Sequence, residues 1–233
     1  QNGVNAITIR EDDKVIQVCM TDGNSEVLMA NRNGRAIRFH ESKVREMGRT
    51  ATGVRGMELD EDGQDEVVGM ICVSKDTNET VMVVSQQGYG KRTMLDERDD
   101  EGNLVLDETG SPIAIYRITN RGGKGVKTMN ISDKTGKLVS IMNVVDENDL
   151  MIINKSGITI RLKMADIRVM GRATQGVRLI NLEKRNDEIA SVCKVLSEPE
   201  EEVTEEVVLE EGVEGAEINN EAPATEPDEN TEE

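Results

Sequence analysis

Asn120-Arg121-Gly122-Gly123-Lys124-Gly125 runs directly into the apolar stretch Val126 to Ile131. Three glycines interleaved with the cations Arg121 and Lys124 make a loop whose backbone N–H groups can approach an anion closely. Two degenerate copies exist, Gly48-Arg49-Thr50-Ala51-Thr52-Gly53 and Gly171-Arg172-Ala173-Thr174-Gln175-Gly176. Each copy keeps the Arg in second place and the Gly in sixth, and each leads into a run that opens Gly-Val. A loop that recurs in this way belongs to a repeat architecture.

The spacing extends the repeat on both sides of the loop. Gly34 to Gly48 is 14 residues, and so is Gly157 to Gly171. Met47-Gly48-Arg49 returns as Met170-Gly171-Arg172, and Gly53-Val54-Arg55 as Gly176-Val177-Arg178. Asn33-Gly34 is a strong short-range signal for a β-hairpin. It leads into Arg35-Ala36-Ile37-Arg38-Phe39, which alternates as a half-exposed strand should. Val15 to Met20, Val27 to Ala30 and Val54 to Leu59 read as the other strands of this unit, with a helical turn within 41–47. The middle repeat keeps the same ends but carries 18 extra residues between hairpin and loop, including the polar, turn-rich Asp99 to Pro112. Ile189 to Val195 reads as a last strand that completes or latches the array.

Four short strands in units of about 50 residues predict an all-β, propeller-like array of blades. The expected organisation is 1–13 as the end of a preceding blade, 14–63 a blade, and 64–136 a blade with an insertion near 99–116. Residues 137–197 are then a blade with its closing strand, and 198–233 a tail. The chain opens on Gln, and Gly3 to Ile9 resembles the close of a repeat, so a piece of something longer is expected.

Composition separates the tail from the rest. From Glu198 onward there are 16 acids and no Lys or Arg, so residues 1–197 hold 30 acids (46 less those 16) against all 28 bases. The net charge of −18 therefore comes almost wholly from the tail. Glu-rich, with scattered Pro and no aromatic, that tail is expected to be disordered. Phe39, Tyr89 and Tyr116 are the only aromatics, so the core must be built from Val, Ile, Leu and Met. No apolar run approaches the roughly 20 residues that span a bilayer, and no signal peptide is recognisable; a cytoplasmic protein with no membrane association is expected. Cys19, Cys72 and Cys193 show no Cys-x-x-Cys spacing, and Cys19 and Cys193 close similar apolar runs; packing and free thiols are expected. His40 is the single histidine, which leaves no material for an imidazole metal site or a catalytic triad.

Superposing the repeats gives three cationic columns. Arg38, Arg92 and Arg161 each lie four residues past a hairpin glycine. Apolar neighbours flank Arg38 and Arg161, so alternation predicts that these side chains point outward. Arg49, Arg121 and Arg172 sit on the glycine-bounded loop. Arg55, Lys127 and Arg178 open the closing strand. Arg45 and Arg168 also match, and Lys91 and Lys124 add to the set. One column is explained by solubility and edge protection; three held through every copy predict a curved positive track for a bent polyanion, held through its phosphates. Scarce aromatics favour double-stranded DNA over unpaired strands. Ser85 to Thr93 has glycines and a lysine but not the spacing of a phosphate-binding loop, which excludes nucleotide binding there.

Gly88-Tyr89-Gly90-Lys91-Arg92-Thr93, Arg121-Gly122-Gly123-Lys124-Gly125-Val126 and Met170 to Val177 resemble the C-terminal domain of the DNA gyrase A protein, and an acidic tail fits the same family. The resemblance covers essentially the whole chain. It implies a β-pinwheel, a propeller relative whose blades exchange strands, with three blades of an expected six. It also implies a rim that wraps DNA and so supports negative supercoiling by an ATP-dependent type II topoisomerase of bacteria. Partners implied are double-stranded DNA and, through the rest of the gyrase A protein, the gyrase B protein in an A2B2 heterotetramer associated with the nucleoid. ATP and Mg²⁺ belong elsewhere in that holoenzyme, and no cofactor or metal is expected here. The family's box, Gln-Arg-Arg-Gly-Gly-Lys-Gly, is matched at Arg121, Gly122, Gly123, Lys124 and Gly125, but Thr119 and Asn120 replace its first two residues. Neither Tyr89 nor Tyr116 matches the cleavage tyrosine, so no catalytic residue is expected. The rivals are the corresponding domain of topoisomerase IV and, from another class, a propeller that binds proteins.

The tail yields a test of its own. Tethered to a basic rim, 16 acids compete with DNA at high effective concentration. Deletion of 198–233 is expected to raise affinity for duplex DNA, most strongly at low salt, in a gel-shift titration.

Overall fold

Asn33-Gly34 turns the chain between strands β1 (Glu26–Asn31) and β2 (Arg35–His40), with Gly34 at φ +79°. The computed structural model describes residues 3–61, 63–74, 77–182 and 187–197. Gly88 and Gly157, also at positive φ, make the same turn between β4 (Thr80–Ser85) and β5 (Tyr89–Met94) and between β8 (Asn148–Asn154) and β9 (Thr159–Lys163). The other strands, numbered in chain order, are β3 (Val67–Val73), β6 (Val126–Lys127), β7 (Leu138–Val144), β10 (Val177–Arg178) and β11 (Ile189–Leu196). Single 3₁₀ turns at Glu41–Lys43 and Met164–Asp166 follow the first and third hairpins.

The sheets cut across the repeats. Each hairpin pairs with strands from the repeat that follows it, giving the orders β3-β1-β2-β6 and β10-β5-β4-β7, with β11-β8-β9 as a third sheet. The named strand pairs are all antiparallel. This is the strand exchange of a β-pinwheel. It divides the chain differently from the blades expected from sequence, because the sheet around 80–94 takes its edges from 138–144 and 177–178.

The glycine that closes each loop explains the recurrence. Gly125 and Gly176, at φ +69° and +83°, lie against the backbone of the preceding hairpin: an added Cβ would stand 2.3 Å from the Ala36 carbonyl and 2.5 Å from that of Gly90. Gly53 has the same conformation and nothing within 4 Å. Val15–Met20 and Val54–Leu59, expected as strands, form none, whereas their counterparts β3 and β6 are ordered by flanking β1 and β2. Val18 and Met20 are 80% and 94% exposed.

The cores lie between successive sheets. Leu28, Ala30, Ile71, Val81, Val83, Tyr116 and Leu138 pack in one; Met82, Val84, Met142, Leu150, Ile152 and Met164 pack in the next. Tyr116 is fully buried, with its hydroxyl 2.6 Å from Thr128 Oγ1. The insertion forms a small ladder of its own through Asp96–Ala114, Arg98–Leu104 and Leu106–Pro112. Cys19 and Cys72, distant in sequence, come together: burial, then the hydrogen-bonded neighbour Cys19, pushes the Cys72 thiol up to about 12. The acidic tail lies outside the described residues.

Gly125→Ala is expected to destabilise the fold by about 3 kcal/mol, through backbone overlap and left-handed strain together. Gly53→Ala, with strain alone, should lose about 1 kcal/mol. Urea unfolding of the two variants beside the parent checks the difference.

Candidate nucleic-acid interface

Of the three cationic columns, the first loses two of its three members to the interior. Arg38 and Arg92 are buried, 6% and 5% exposed. Arg38 donates to Glu26, to Asp96 at 2.6 and 3.0 Å, and to the carbonyls of Leu95 and Tyr116. Arg92 repeats the arrangement: it donates to Thr80 Oγ1 and to the Met164 and Ile167 carbonyls, and pairs with Asp146. Burial alone would depress the Arg38 guanidinium, but Asp96 and Glu26 outweigh it and hold the group above its ordinary range. These arginines clamp one repeat to the next.

Alternation misplaced them because it presumes one wet face. Strands β2, β4 and β5 are buried nearly throughout, since the following repeat covers their second face. β9 does alternate, and there Arg161 stays half exposed, donating to Asp149 at 2.6 Å. Ser197, then Arg161, holds the Asp149 carboxyl below the usual carboxylate range.

Lys91 is also corrected. It is fully buried, and its ammonium donates to the Gly171 carbonyl at 2.6 Å and to that of Arg172.

The other two columns come together on the outermost strands. In the first two sheets the closing strands β6 and β10 stand at the edge, away from β3 and β7. Each loop docks on the closing segment of the repeat before it. Arg121 donates to the Arg55 carbonyl at 3.1 Å and to the Lys43 carbonyl at 2.9 Å; Gly122 N donates to the Gly56 carbonyl at 2.6 Å. Arg172 makes the matching bond to the Lys127 carbonyl at 2.8 Å. Loop cation and strand cation are thereby neighbours at both junctions, Arg121 with Arg55 and Arg172 with Lys127. The loop guanidiniums donate to carbonyls, which carry no net charge, so the positive charge remains.

Arg45, Arg49, Arg55, Lys124, Lys127, Arg168 and Arg178 are exposed, and Arg121 and Arg172 partly so. Lys124 lies 3.6 Å from Glu58. Arg178 donates through Nε and one terminal nitrogen to the Tyr89 hydroxyl at 3.2 and 3.0 Å. Arg178 and Lys134 each stand 5.5 Å from the Tyr89 ring centre.

Two cations of this edge were not anticipated. Arg35 is the cross-strand partner of Lys127. Lys134 reaches Tyr89. The repeat alignment could not find them, because the position after the hairpin glycine holds Arg35, Tyr89 and Ile158 in turn. Only the register between β2 and β6 puts Arg35 on the edge.

The sequence profile of the DNA gyrase C-terminal domain, beta-propeller, matches residues 1–18, 25–74, 79–97, 116–144 and 148–193. The chain belongs to the DNA gyrase C-terminal domain family. The DNA gyrase A protein of Staphylococcus aureus strain NCTC 8325 / PS 47 is 40% identical over 232 residues, which cover 96% of this chain and 24% of that protein. Its counterpart from strain MRSA252 is 42% identical over 229 residues, covering 96% and 23%. The chain thus spans about a quarter of the length of these relatives. Among solved structures, the C-terminal domain of DNA topoisomerase IV superposes with a TM-score of 0.69 at 25% identity, over 82% of this chain and 53% of that one. The DNA gyrase A C-terminal domain does so at 0.62 and 24% identity, over 83% and 58%, and supports the pinwheel fold.

The two classes of arginine separate by stability in this family member. Arg38→Met leaves Glu26 buried without its partner and should destabilise by about 3 kcal/mol. Arg161→Met removes a half-exposed arginine from the buried Asp149, which keeps the Ser197 hydroxyl, and should cost less, about 1 kcal/mol. Thermal unfolding monitored by circular dichroism distinguishes them.

Proposed function

We propose that this chain binds double-stranded DNA along the edge formed by Arg49, Arg55, Arg121, Lys127, Arg172 and Arg178, and bends it as part of a gyrase-type type II topoisomerase. The observation that carries the reading is the junction geometry. Arg121 and Arg172 are each seated on the backbone carbonyl of a cation from the preceding repeat, Arg55 and Lys127, so positive charge recurs from one junction to the next. Recognition is through phosphates: released counterions drive it, and base sequence matters little. Arg45, Lys124 and Arg168 extend the surface, and Arg35 and Lys134 join it. Arg38, Lys91 and Arg92 act from the interior.

Wrapping for negative supercoiling, association with the gyrase B protein in an A2B2 assembly, and use of ATP and Mg²⁺ elsewhere in that assembly follow from kinship with the gyrase A protein. A cytoplasmic, nucleoid-associated location belongs to the same reading. The likeness to the topoisomerase IV domain favours a second reading, in which the chain belongs to a topoisomerase IV-type enzyme and need not wrap DNA. Ligating nicked plasmid in the presence of the chain separates the two. A shift in linking number supports wrapping, whereas unchanged topoisomers with intact binding support the topoisomerase IV type.

Changing Arg49, Arg55, Arg121, Lys127 and Arg172 together to Ala is expected to weaken duplex binding equally for unrelated sequences. It should also flatten the dependence of log K on log salt by about 0.9 for each phosphate that is no longer neutralised. Anisotropy titrations at several salt concentrations measure both. Unchanged affinity, with a protein partner recovered after nuclease treatment, would instead identify a protein-binding propeller.

A further inference from the structure

Three residues past the hairpin glycine, the first and third repeats carry an isoleucine, Ile37 and Ile160; the second carries Lys91. Ile37 is a core residue, and its Cδ1 lies 3.7 Å from where a Cβ on Gly123 would stand, beneath the loop of the next repeat. Lys91 holds the same place beneath the loop of the third repeat. It pairs across the hairpin with Val83, and its Cβ is 3.4 Å from the Cβ position of Gly176. A lysine is rarely buried whole. This one is, and its ammonium reaches carbonyls only, those of Gly171 and Arg172. The guanidinium of Arg172 meanwhile extends to the Lys127 carbonyl on the outer edge. Lys91 therefore supports, from inside, the backbone of a residue that presents charge outside.

We propose that Lys91 is a positioning residue for the Arg172 loop and that it takes up a proton when a DNA phosphate binds at Arg172, so that this part of the edge binds duplex in a proton-linked way. The inference rests on the DNA-binding reading above. Burial, then the charge of Arg172, pushes the Lys91 ammonium down to about 7. Around it, Val83 on β4 and Gly176 before β10 bring no charge; Tyr89, with Arg178 upon it, stands two residues back along β5; Arg92, next along β5, turns to Asp146 and the Met164 carbonyl. No carboxylate contributes to the shift. A phosphate at Arg172 neutralises the charge that repels the ammonium, which raises the value for Lys91 in the complex. Binding then favours the protonated form, and by linkage protonation favours binding. The gain is fully present below about 7 and is lost as pH rises through that value to the value in the complex. A rise of about one unit corresponds to about a tenfold loss of affinity.

The experiment uses the whole chain and a fluorescein-labelled duplex, with anisotropy at constant ionic strength from about pH 6 to about pH 9, a range that brackets the shifted lysine and its ordinary value's lower flank. The parent should lose affinity across neutral pH. Lys91→Arg, charged throughout, should bind with a flat profile. Lys91→Met should be weaker and flat, and its loss should not add to that of Arg172→Ala. A flat parent profile, while Arg172→Ala still weakens binding, overturns the inference and leaves the DNA reading intact. A pH dependence abolished by His40→Gln also overturns it. An Arg172→Ala variant with unchanged affinity and salt slope removes the DNA reading at this loop, and the inference with it. Carbon NMR of the lysine Cε resonances needs no variant fold: a Lys91 signal that titrates at the ordinary lysine value, about 10.4, overturns the assignment.

Discussion

A two-stranded hairpin has two unpaired edges, and in this chain neither is satisfied by its own repeat. β1 and β2 are completed by β3 and β6, and β4 and β5 by β7 and β10. Backbone N–H and C=O groups that would otherwise face water or another chain are thereby paired in sequence order. The constraint is steric as much as electrostatic. The closing strand can reach the hairpin only if the residue before it has no side chain, because at Gly125 and Gly176 the hairpin carbonyl occupies that space. The hairpin glycine is pressed from the same side: a Cβ at Gly34 would meet Ile131 Cγ1 at 2.5 Å, and one at Gly88 the Ile180 carbonyl at 2.6 Å. Gly53 and Gly157, which have no such neighbour, mark the two places where the chain presents no exchanged strand to them.

Strand exchange also sets which charges are buried and which are displayed. The middle strands β2 and β5 receive the next repeat on one face and the core on the other, so Arg38 and Arg92 have no route to solvent. Their guanidiniums, with donors in a planar fork, satisfy several acceptors at once: carboxylate or hydroxyl on the neighbouring strand and carbonyls from the following repeat. The equivalent carbonyls are taken each time, Leu95 and Tyr116 for Arg38, Met164 and Ile167 for Arg92. Arg161 has the same cross-strand acid but no following repeat to grip, and it remains half exposed. Closing strands, being outermost, can only display what they carry.

This explains how far the sequence could be read. Hairpin glycines, loop glycines and the fixed spacing between them were legible because each answers to a backbone conformation that few other residues adopt. The outer columns were legible for a related reason, since the loop and the closing strand are defined by those glycines. The inner column was misread. Ile37 and Phe39 beside Arg38 look like a half-buried strand, and nothing local reveals that Leu95, Tyr116 and Asp96 will cover the other face. Lys91 was misread as one more cation of the exposed set; its comparison with Ile37 and Ile160 was the signal that it lies inside. Cys19 and Cys72 meet only because Val15–Met20 runs beside β3, where Gln17 accepts from Met70 N at 2.9 Å. Arg35 needed the β2–β6 register.

The acids complete the electrostatic pattern. Apart from the tail, acids and bases are nearly balanced, so a basic edge requires carboxylates to be used elsewhere. Several of them sit at the turn end of the hairpins. Asp65 accepts from Asn31 and Asn33, Asp60 from Asn33, and Asp187 from Ser156, while Glu66 pairs with Arg32 and Glu188 with Lys155. These acids order the turns, and they lie at the opposite end of β2 from the clamp of Arg38. Along one hairpin the chain thus passes from acid-stabilised turn to a buried arginine clamp, while the strand outside it carries the exposed cations Lys127 or Arg178. Segregation of this kind, rather than an excess of bases, is what lets a nearly neutral β-pinwheel present a cationic edge.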